Sequence, residues 1–341
     1  MMTRTKSAHS WKGPTIQEIA DLSGLGVATV DRTLNGRAGV RNETRARVQA
    51  ALFKLQHSAS SSGDLNITLL CESGKTFNSA VSEAVIVTNR SKPGVSVSGI
   101  FAETNQSDPQ SLAGRIIDAG KNSDGLVLIA REHPAINHAV RTVCRDGVPV
   151  VCLTTDLPSS RRNAYVGNDQ HAAGSVAAQL IGQSLTKSRQ RILIVMSVAF
   201  RCQQEREMGF RRVLRSTYPH LRIEERVIAD DATETTCSQL LQHFEAHGLP
   251  PAIYNVAGAN RGVAQALEVA AVAEKTIFVG HELTVNSQQL LVSGIMDYVI
   301  SHDFEAEVQA AAHWIKTFHE GVDTDVRPTQ ILVHTRYNCS L

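Results

Sequence analysis

His243-Phe-Glu-Ala-His247 is where this 341-residue chain comes closest to a metal-binding spacing, with two imidazoles on one helical face. The glutamate sits in the middle rather than beside the first histidine, so the segment is not HExxH and reads as solvated helix surface. Six cysteines (Cys71, Cys144, Cys152, Cys202, Cys237, Cys339) form no CxxC pair, and several lie in apolar runs, which suits buried thiols in a reducing compartment. No Walker motif, Gly-x-Ser-x-Gly elbow or dinucleotide-binding glycine fingerprint occurs. The sequence therefore predicts no enzyme, no cofactor and no metal. What remains is recognition by charge and hydrogen bonding. Up to Gly63 there are nine basic residues (Arg4, Lys6, Lys12, Arg32, Arg37, Arg41, Arg45, Arg47, Lys54) and four acidic ones, a balance of +5. The whole chain carries +1, so the rest carries −4 (+1 minus +5). A basic head on a mildly acidic body points to a polyanion partner for the head alone.

The head must be helical to present those charges. Thr15 to Glu18 fits a capping box, and Ile16, Ile19, Ala20 and Leu22 follow as one apolar stripe. Gly24 and Gly26 break that helix. A second helix is expected from about Val27 to Asn35, and a third from about Asn42 to Leu55, where Val48, Ala51, Leu52 and Leu55 close a small core. Two helices joined by a short Gly-containing turn make a helix-turn-helix.

The order of residues, TIQEIADLSGLGVATVDRTLNGRAGVRNETRARV, closely resembles the headpiece of the lac-repressor family. Thr15, Ile16, Ala20, Gly24, Thr29, Val30, Arg32, Leu34 and Asn35 match its pattern directly. The resemblance implies double-stranded DNA as partner, with Val27 and Ala28 facing base edges in the major groove and Arg32 one turn later. It places Thr15, Thr29 and Asn35 near phosphates. Arginine can pair bidentately with guanine, and Val or Ala can touch a thymine methyl. Gly26 and Asp31 stand where the family carries serines. Asp31 near a phosphate backbone is repulsive, unless it positions Arg32 or another basic side chain.

Residues 1–13 read as a disordered tail, 14–56 as the DNA-binding domain and 57–64 as a flexible Ser/Gly linker. The family's hinge helix, with its minor-groove leucine, has no counterpart in the linker, so less operator bending is expected than with that helix.

From Asn66 short apolar runs alternate with helical stretches. Candidate strands are Ile67–Cys71, Val95–Phe101, Gly125–Ala130, Pro149–Thr154, Arg191–Met196, Arg222–Ile228, Ala252–Val256, Thr276–Gly280 and Asp297–Ser301. This alternation predicts an α/β body with parallel sheets, and that many strands predict two lobes. The segments YVGNDQHAAG, REMGF, GANRGVAQAL, VGHE and ISHDF, in this order, resemble the type I periplasmic-binding-protein sensor fold. The expected body is 65–341, with lobe 1 at about 65–163 and 304–328 and lobe 2 at about 164–303 and 329–341.

Open α/β sheets bind ligands beyond the carboxyl ends of their strands. Ligand-binding expectations there are Phe77, Asn78, Arg131, Asp156, Asn168, Arg201, Arg206, Asn260, Glu282 and Asp303. Amides, carboxylates and arginines suit bidentate bonds to vicinal hydroxyls or a carboxylate, and Phe77 can stack on a sugar face. The resemblance implies a sugar or derivative. Asn260 in place of an aspartate, with three arginines nearby, leaves a sugar, polyol, sugar acid or phosphorylated sugar open. It also implies a homodimer reading a near-palindromic operator, usually as a repressor. No apolar run reaches a membrane span and the N-terminus has no apolar signal segment, so no membrane partner and a cytoplasmic location are expected.

Overall fold

Thr15 caps the first helix of the head, α1 (Ile16–Ser23): its side chain accepts from the Glu18 amide while Glu18 reaches back to the Thr15 amide. Gly24 ends α1 in the left-handed region at φ 64°, which turns the chain into α2 (Val27–Leu34). The computed structural model describes residues 14–37, 39–41, 43–45, 47–48, 51–52, 55, 64–197 and 200–340, apart from the side chains of 224 and 225. The expected tail and nearly all of the expected linker lie outside these residues. Residues 43–45, 47–48, 51–52 and 55 are helical, and Val48 and Ala51 pack with Ile19, Ala20 and Val30 into the head's core. Arg47 donates to the Ser23 carbonyl at 2.7 Å, tying this helical stretch to the turn after α1. Leu22, expected in the apolar stripe, is 48% exposed, so the stripe is narrower than the spacing suggested.

The body, Leu65–Leu341, is a separate compact unit. Its first sheet has the order β2-β1-β3-β4-β5 and is parallel throughout: β1 (Leu65–Ser73), β2 (Val95–Glu103), β3 (Gly125–Ile129), β4 (Val150–Leu153) and β5 (Ala164–Val166). Helices α3 (Lys75–Ser91), α4 (Pro109–Asn122) and α5 (Pro134–Arg145) connect its strands. β3 and β4 are buried along their whole length, as apolar runs without alternation require when helices cover both faces.

The chain then crosses to a second sheet through α6 (Gln170–Ser184). Its order is β11-β10-β9-β8-β6-β7, built from β6 (Gln190–Met196), β7 (Leu221–Ile228), β8 (Ala252–Asn255), β9 (Ile277–His281), β10 (Tyr298–Ser301) and β11 (Leu332–His334). Helices α7 (Arg201–Thr217), α8 (Thr233–His247), α9 (Asn260–Val269) and α10 (Val285–Ser293) join them. After β10 the chain returns as α11 (Phe304–Glu320), whose Val308, Ala311, Ala312 and Ile315 complete the core of the first lobe. It then comes back once more to add β11, antiparallel to β10.

Three segments thus pass between the lobes, and two are stitched together: Asn168 bridges Thr329, whose amide donates to the Gly167 carbonyl at 3.0 Å. α6 and α7 pack backbone to backbone. A Cβ on Gly174 would lie 1.8 Å from the Arg206 carbonyl oxygen, and one on Gly209 would lie 1.9 Å from that of His171. None of the six cysteines is in a disulfide, and all but Cys144 are buried.

Candidate functional site

In the head, α2 presents Val27, Ala28, Arg32 and Asn35 to solvent, with Thr29 half-buried beside them. The opposite face, Val30 and Thr33, is buried. Gly26 supplies no side-chain cap to α2, leaving the helix's first amides open. Asp31 does position neighbours, though not Arg32: it accepts from the Asn35 amide at 2.8 Å and from the Arg37 guanidinium at 3.3 Å. Thr15 stays exposed while its hydroxyl serves the capping box. The exposed face therefore offers an arginine, two small apolar side chains and an amide, a set suited to a major groove.

In the body, a cavity of about 40 Å³ lies between the lobes at the carboxyl ends of the strands. Phe77 and Thr154 line it from lobe 1, and Gln203, Arg206, Asp231 and Glu282 from lobe 2. The lobes also touch directly: the Cys202 amide donates to the Thr155 hydroxyl at 3.3 Å, Asn286 donates to the Thr76 hydroxyl at 3.1 Å, and Arg201 approaches Glu132 at 3.9 Å. The cleft is nearly shut, with room for a water or two.

Arg206 and Glu282 sit at the centre of a buried charge chain. Arg206 donates to Gln170 Oε1 at 2.7 Å, to the Val256 carbonyl at 3.2 Å and to Glu282 Oε1 at 2.7 Å. The other Glu282 oxygen lies 2.8 Å from His302 Nε2, and His302 Nδ1 lies 2.8 Å from Glu307 Oε2. Burial alone lowers the His302 pKa, but the flanking charges of Glu307 and Glu282 outweigh it and push the imidazole up to about 10. For Glu282 burial acts upward, yet His302 and Arg206 hold its carboxyl well below the usual range. The chain alternates plus, minus, plus, minus and is neutral as a whole. It runs from α7 in lobe 2, through the segment after β10, to α11 in lobe 1.

Phe77, Arg206 and Glu282 are the expected ligand residues that line the cavity. Phe77 lies in the first turn of α3 rather than in a loop, edge-on to Phe304 at 5.3 Å. Six of the other expected residues are engaged elsewhere. Asn78 donates to the Ser73 and Ala102 carbonyls at 3.1 and 3.0 Å. Arg131 pairs with buried Glu72 and donates to the Thr104 carbonyl at 2.8 Å. Asp156 accepts two bonds of 2.7 Å from Arg162. Arg201 pairs with Glu205 at 2.7 Å, and both ends of the Asn260 amide are taken by Asn255 and the His281 carbonyl, at 2.7 and 2.8 Å. Asp303 caps α11 through the Ala306 amide at 2.9 Å, from an exposed position. Asn168 is buried in the crossover, and its Oδ1 has no partner among the described residues.

Thr154, Gln203 and Asp231 were not anticipated. Asp231 was within reach, because it follows the strand ending at Ile228 on the side where such sheets bind ligands. His302 had a faint signal only, as the odd residue in ISHDF. His243 and His247 do lie together on α8, with ring centroids 4.5 Å apart. No group of three or more His, Cys, Asp or Glu among the described residues is placed to hold a metal ion. No helix among them is long and apolar enough to cross a membrane.

Two family models match the chain: a periplasmic binding protein domain over residues 69–321, and the lacI family of bacterial regulatory proteins over 15–59. No curated protein sequence gives a significant match. Solved structures share the body's fold. A glucose-galactose binding protein from Geobacillus stearothermophilus is 20% identical, with 82% of this chain and 99% of that one covered and a TM-score of 0.73. A solute binding protein from Burkholderia graminis, solved with D-arabinose, is 19% identical over 81% and 96% of the two chains, with a TM-score of 0.73. One from Actinobacillus succinogenes with bound D-allose is 17% identical over 81% and 99%, with a TM-score of 0.71.

Proposed function

Because the chain belongs to the lacI family of bacterial regulatory proteins, with a periplasmic binding protein domain as its body, we propose that it is a cytoplasmic, homodimeric repressor that senses a sugar or sugar derivative. The observation that carries this reading is the union, in one chain, of an exposed Arg32-bearing helix on a basic head with a two-lobed cleft lined by Phe77, Arg206 and Glu282. Two heads on a two-fold dimer read a near-palindromic operator, with Arg32 the principal base-reading side chain. The effector binds between the lobes, and Phe77 offers its ring to an apolar sugar face.

The nearly shut cleft supplies the mechanism. Effector binding in this cavity competes with the Asn286–Thr76 and Arg201–Glu132 contacts that join the lobes around it. An effector changes DNA affinity only as far as it prefers one lobe arrangement to the other. The experiment is selection of bound sequences from random duplex DNA by the full chain, followed by titration of the selected operator with and without a sugar panel, and sedimentation to establish the dimer. A sugar that binds the chain without altering operator affinity would refute the regulatory link. Sugar binding with no sequence-selective DNA binding would favour a carrier-like role instead, as in the solute binding proteins that share the body's fold.

A further inference from the structure

Among the side chains that line the cleft, Thr154 on lobe 1 and Asp231 on lobe 2 stand outside the paired charge chain. Both line the cavity. Both adopt left-handed backbone angles, φ 60° and 64°, and so does Glu282 at 69°. Thr154, Asp231 and Glu282 are three of the five non-glycine residues with positive φ among the described residues, and all three meet at this one cavity. Such angles are costly for a β-branched residue and gather where a site has to be held in a set shape.

Thr154 is 4% exposed, and its hydroxyl has no hydrogen-bond partner among the described residues. A buried hydroxyl is unfavourable until something completes it. Asp231 accepts from the Gly258 amide at 3.0 Å and lies against Gly74 of the opposite lobe, its Cβ 3.6 Å from where a Cβ on Gly74 would stand. Burial raises its carboxyl pKa against the pull of the Gly258 amide and the Ser197 hydroxyl.

The arginines do not answer this charge. Arg206 is matched by Glu282, Arg131 by Glu72, and Arg201 by Glu205. No Arg, Lys or His among the described residues forms an ion pair with Asp231. With the charge chain neutral in itself, the cleft carries one unmatched carboxylate. A ligand carboxylate or phosphate entering here would meet Asp231, and Arg206, the cationic side chain that lines the cavity, is already paired with Glu282.

Building on the sugar-sensing reading above, we propose that the cleft selects a polyhydroxylated ligand bearing an ammonium group, an amino sugar or aminated polyol. Asp231 forms the ion pair with the ammonium and Thr154 completes its hydroxyl on a neighbouring polar group. A half-buried carboxylate with no cationic partner prefers a cation to a neutral hydroxyl, because the charge-assisted hydrogen bond is the stronger of the two. Acidic sugars are excluded by the same charge.

The test is calorimetric titration of the full chain with three matched series: the stereoisomeric hexosamines, the parent hexoses and the corresponding hexuronates. At least one hexosamine should bind about tenfold or more tightly than its parent hexose, a difference of about 1.4 kcal/mol, and the hexuronates should bind worst. Asp231→Asn, which tolerates the same backbone angle, should reduce the hexosamine-to-hexose preference at least tenfold. Thr154→Ala should weaken both series, and Thr154→Ser should restore them. A hexose that binds as well as its hexosamine, or an unchanged preference in folded Asp231→Asn, overturns this proposal and leaves the sugar-sensing reading standing. If no member of any series binds, this proposal falls as well, and the sugar-sensing reading is decided separately by the operator titration with the wider sugar panel.

Discussion

Replacing His302 with glutamine breaks the buried charge chain at its middle. In the native protein His302 lies 2.8 Å from both Glu282 and Glu307, and all three side chains are excluded from water. Removing one partner of a buried pair strands the other charge and costs about 3–5 kcal/mol, far more than an exposed pair is worth. His302→Gln should therefore lower the body's stability by about that amount at pH 6.5, read from urea denaturation. The pH dependence gives a second handle. The folded pKa of His302, about 10, is raised above the ordinary 6.5, so its stabilisation is complete below pH 6.5 and is lost as pH rises towards 10. The wild type should lose its advantage over His302→Gln across that window. Glu282 works in the opposite sense: its folded pKa is depressed, so its share is present above its ordinary 4.5 and lost as pH falls below that. The double variant His302→Gln/Glu307→Gln removes the stranded carboxylate as well and should recover part of the loss, giving a coupling energy in a double-mutant cycle. A single variant within about 1 kcal/mol of the wild type at pH 6.5, or wild-type and variant stabilities that run parallel up to pH 10, would refute the idea that ionised His302 holds this chain together.

Other predictions follow from geometry already described. Arg32→Ala should cost about 1–3 kcal/mol of operator binding and relax sequence preference at one base pair in each half-site, measured by fluorescence anisotropy on single-substituted operators. Thr15→Ala removes the capping box of α1 and should destabilise the head by about 1 kcal/mol, seen as faster amide exchange in α1 with none in the body. Phe77→Ala should weaken sugar binding by about 0.5–1.5 kcal/mol beyond lost area, by calorimetry, while Phe77→Tyr keeps most of it. Gly209→Ala drives a methyl into the His171 carbonyl oxygen and should cost at least about 1–3 kcal/mol, visible as a lower melting temperature.

The architecture was readable because it rests on long-range repetition. Nine apolar runs alternating with helices dictate an α/β body almost regardless of detail, and all nine form strands. β5 and β11 escaped notice because each has three residues and neither is buried along its whole length, so no periodicity has room to show. The head was legible through its caps: Thr15, Glu18 and Gly24 act locally, and local rules suffice for them. The cleft was harder. Sequence can say that Arg131, Asp156 and Asn260 end up near strand termini, but not which partner each chooses. Arg131 turns to Glu72, 59 positions earlier, and Asp156 to Arg162. Side chains that look free in a sequence are spoken for once the chain folds. The opposite happens at Thr154 and Asp231, whose types are unremarkable and whose backbone angles no sequence pattern announces.

The stitching of Thr329 to Gly167 and Asn168 has a mechanical meaning. Three strips of chain join the lobes, and two of them are laced side by side by backbone bonds. A single strip could twist, stretch or swivel. Laced strips resist sliding past one another and leave bending as the soft motion, like a piano hinge that turns about one line. The lobes should therefore open along a single arc, and a small turn at the hinge becomes a displacement that grows with distance from it. Glu307, held by both Thr329 and His302, sits at that line. The charge chain thus runs through the pivot itself, where a change in its length is felt as a change in angle.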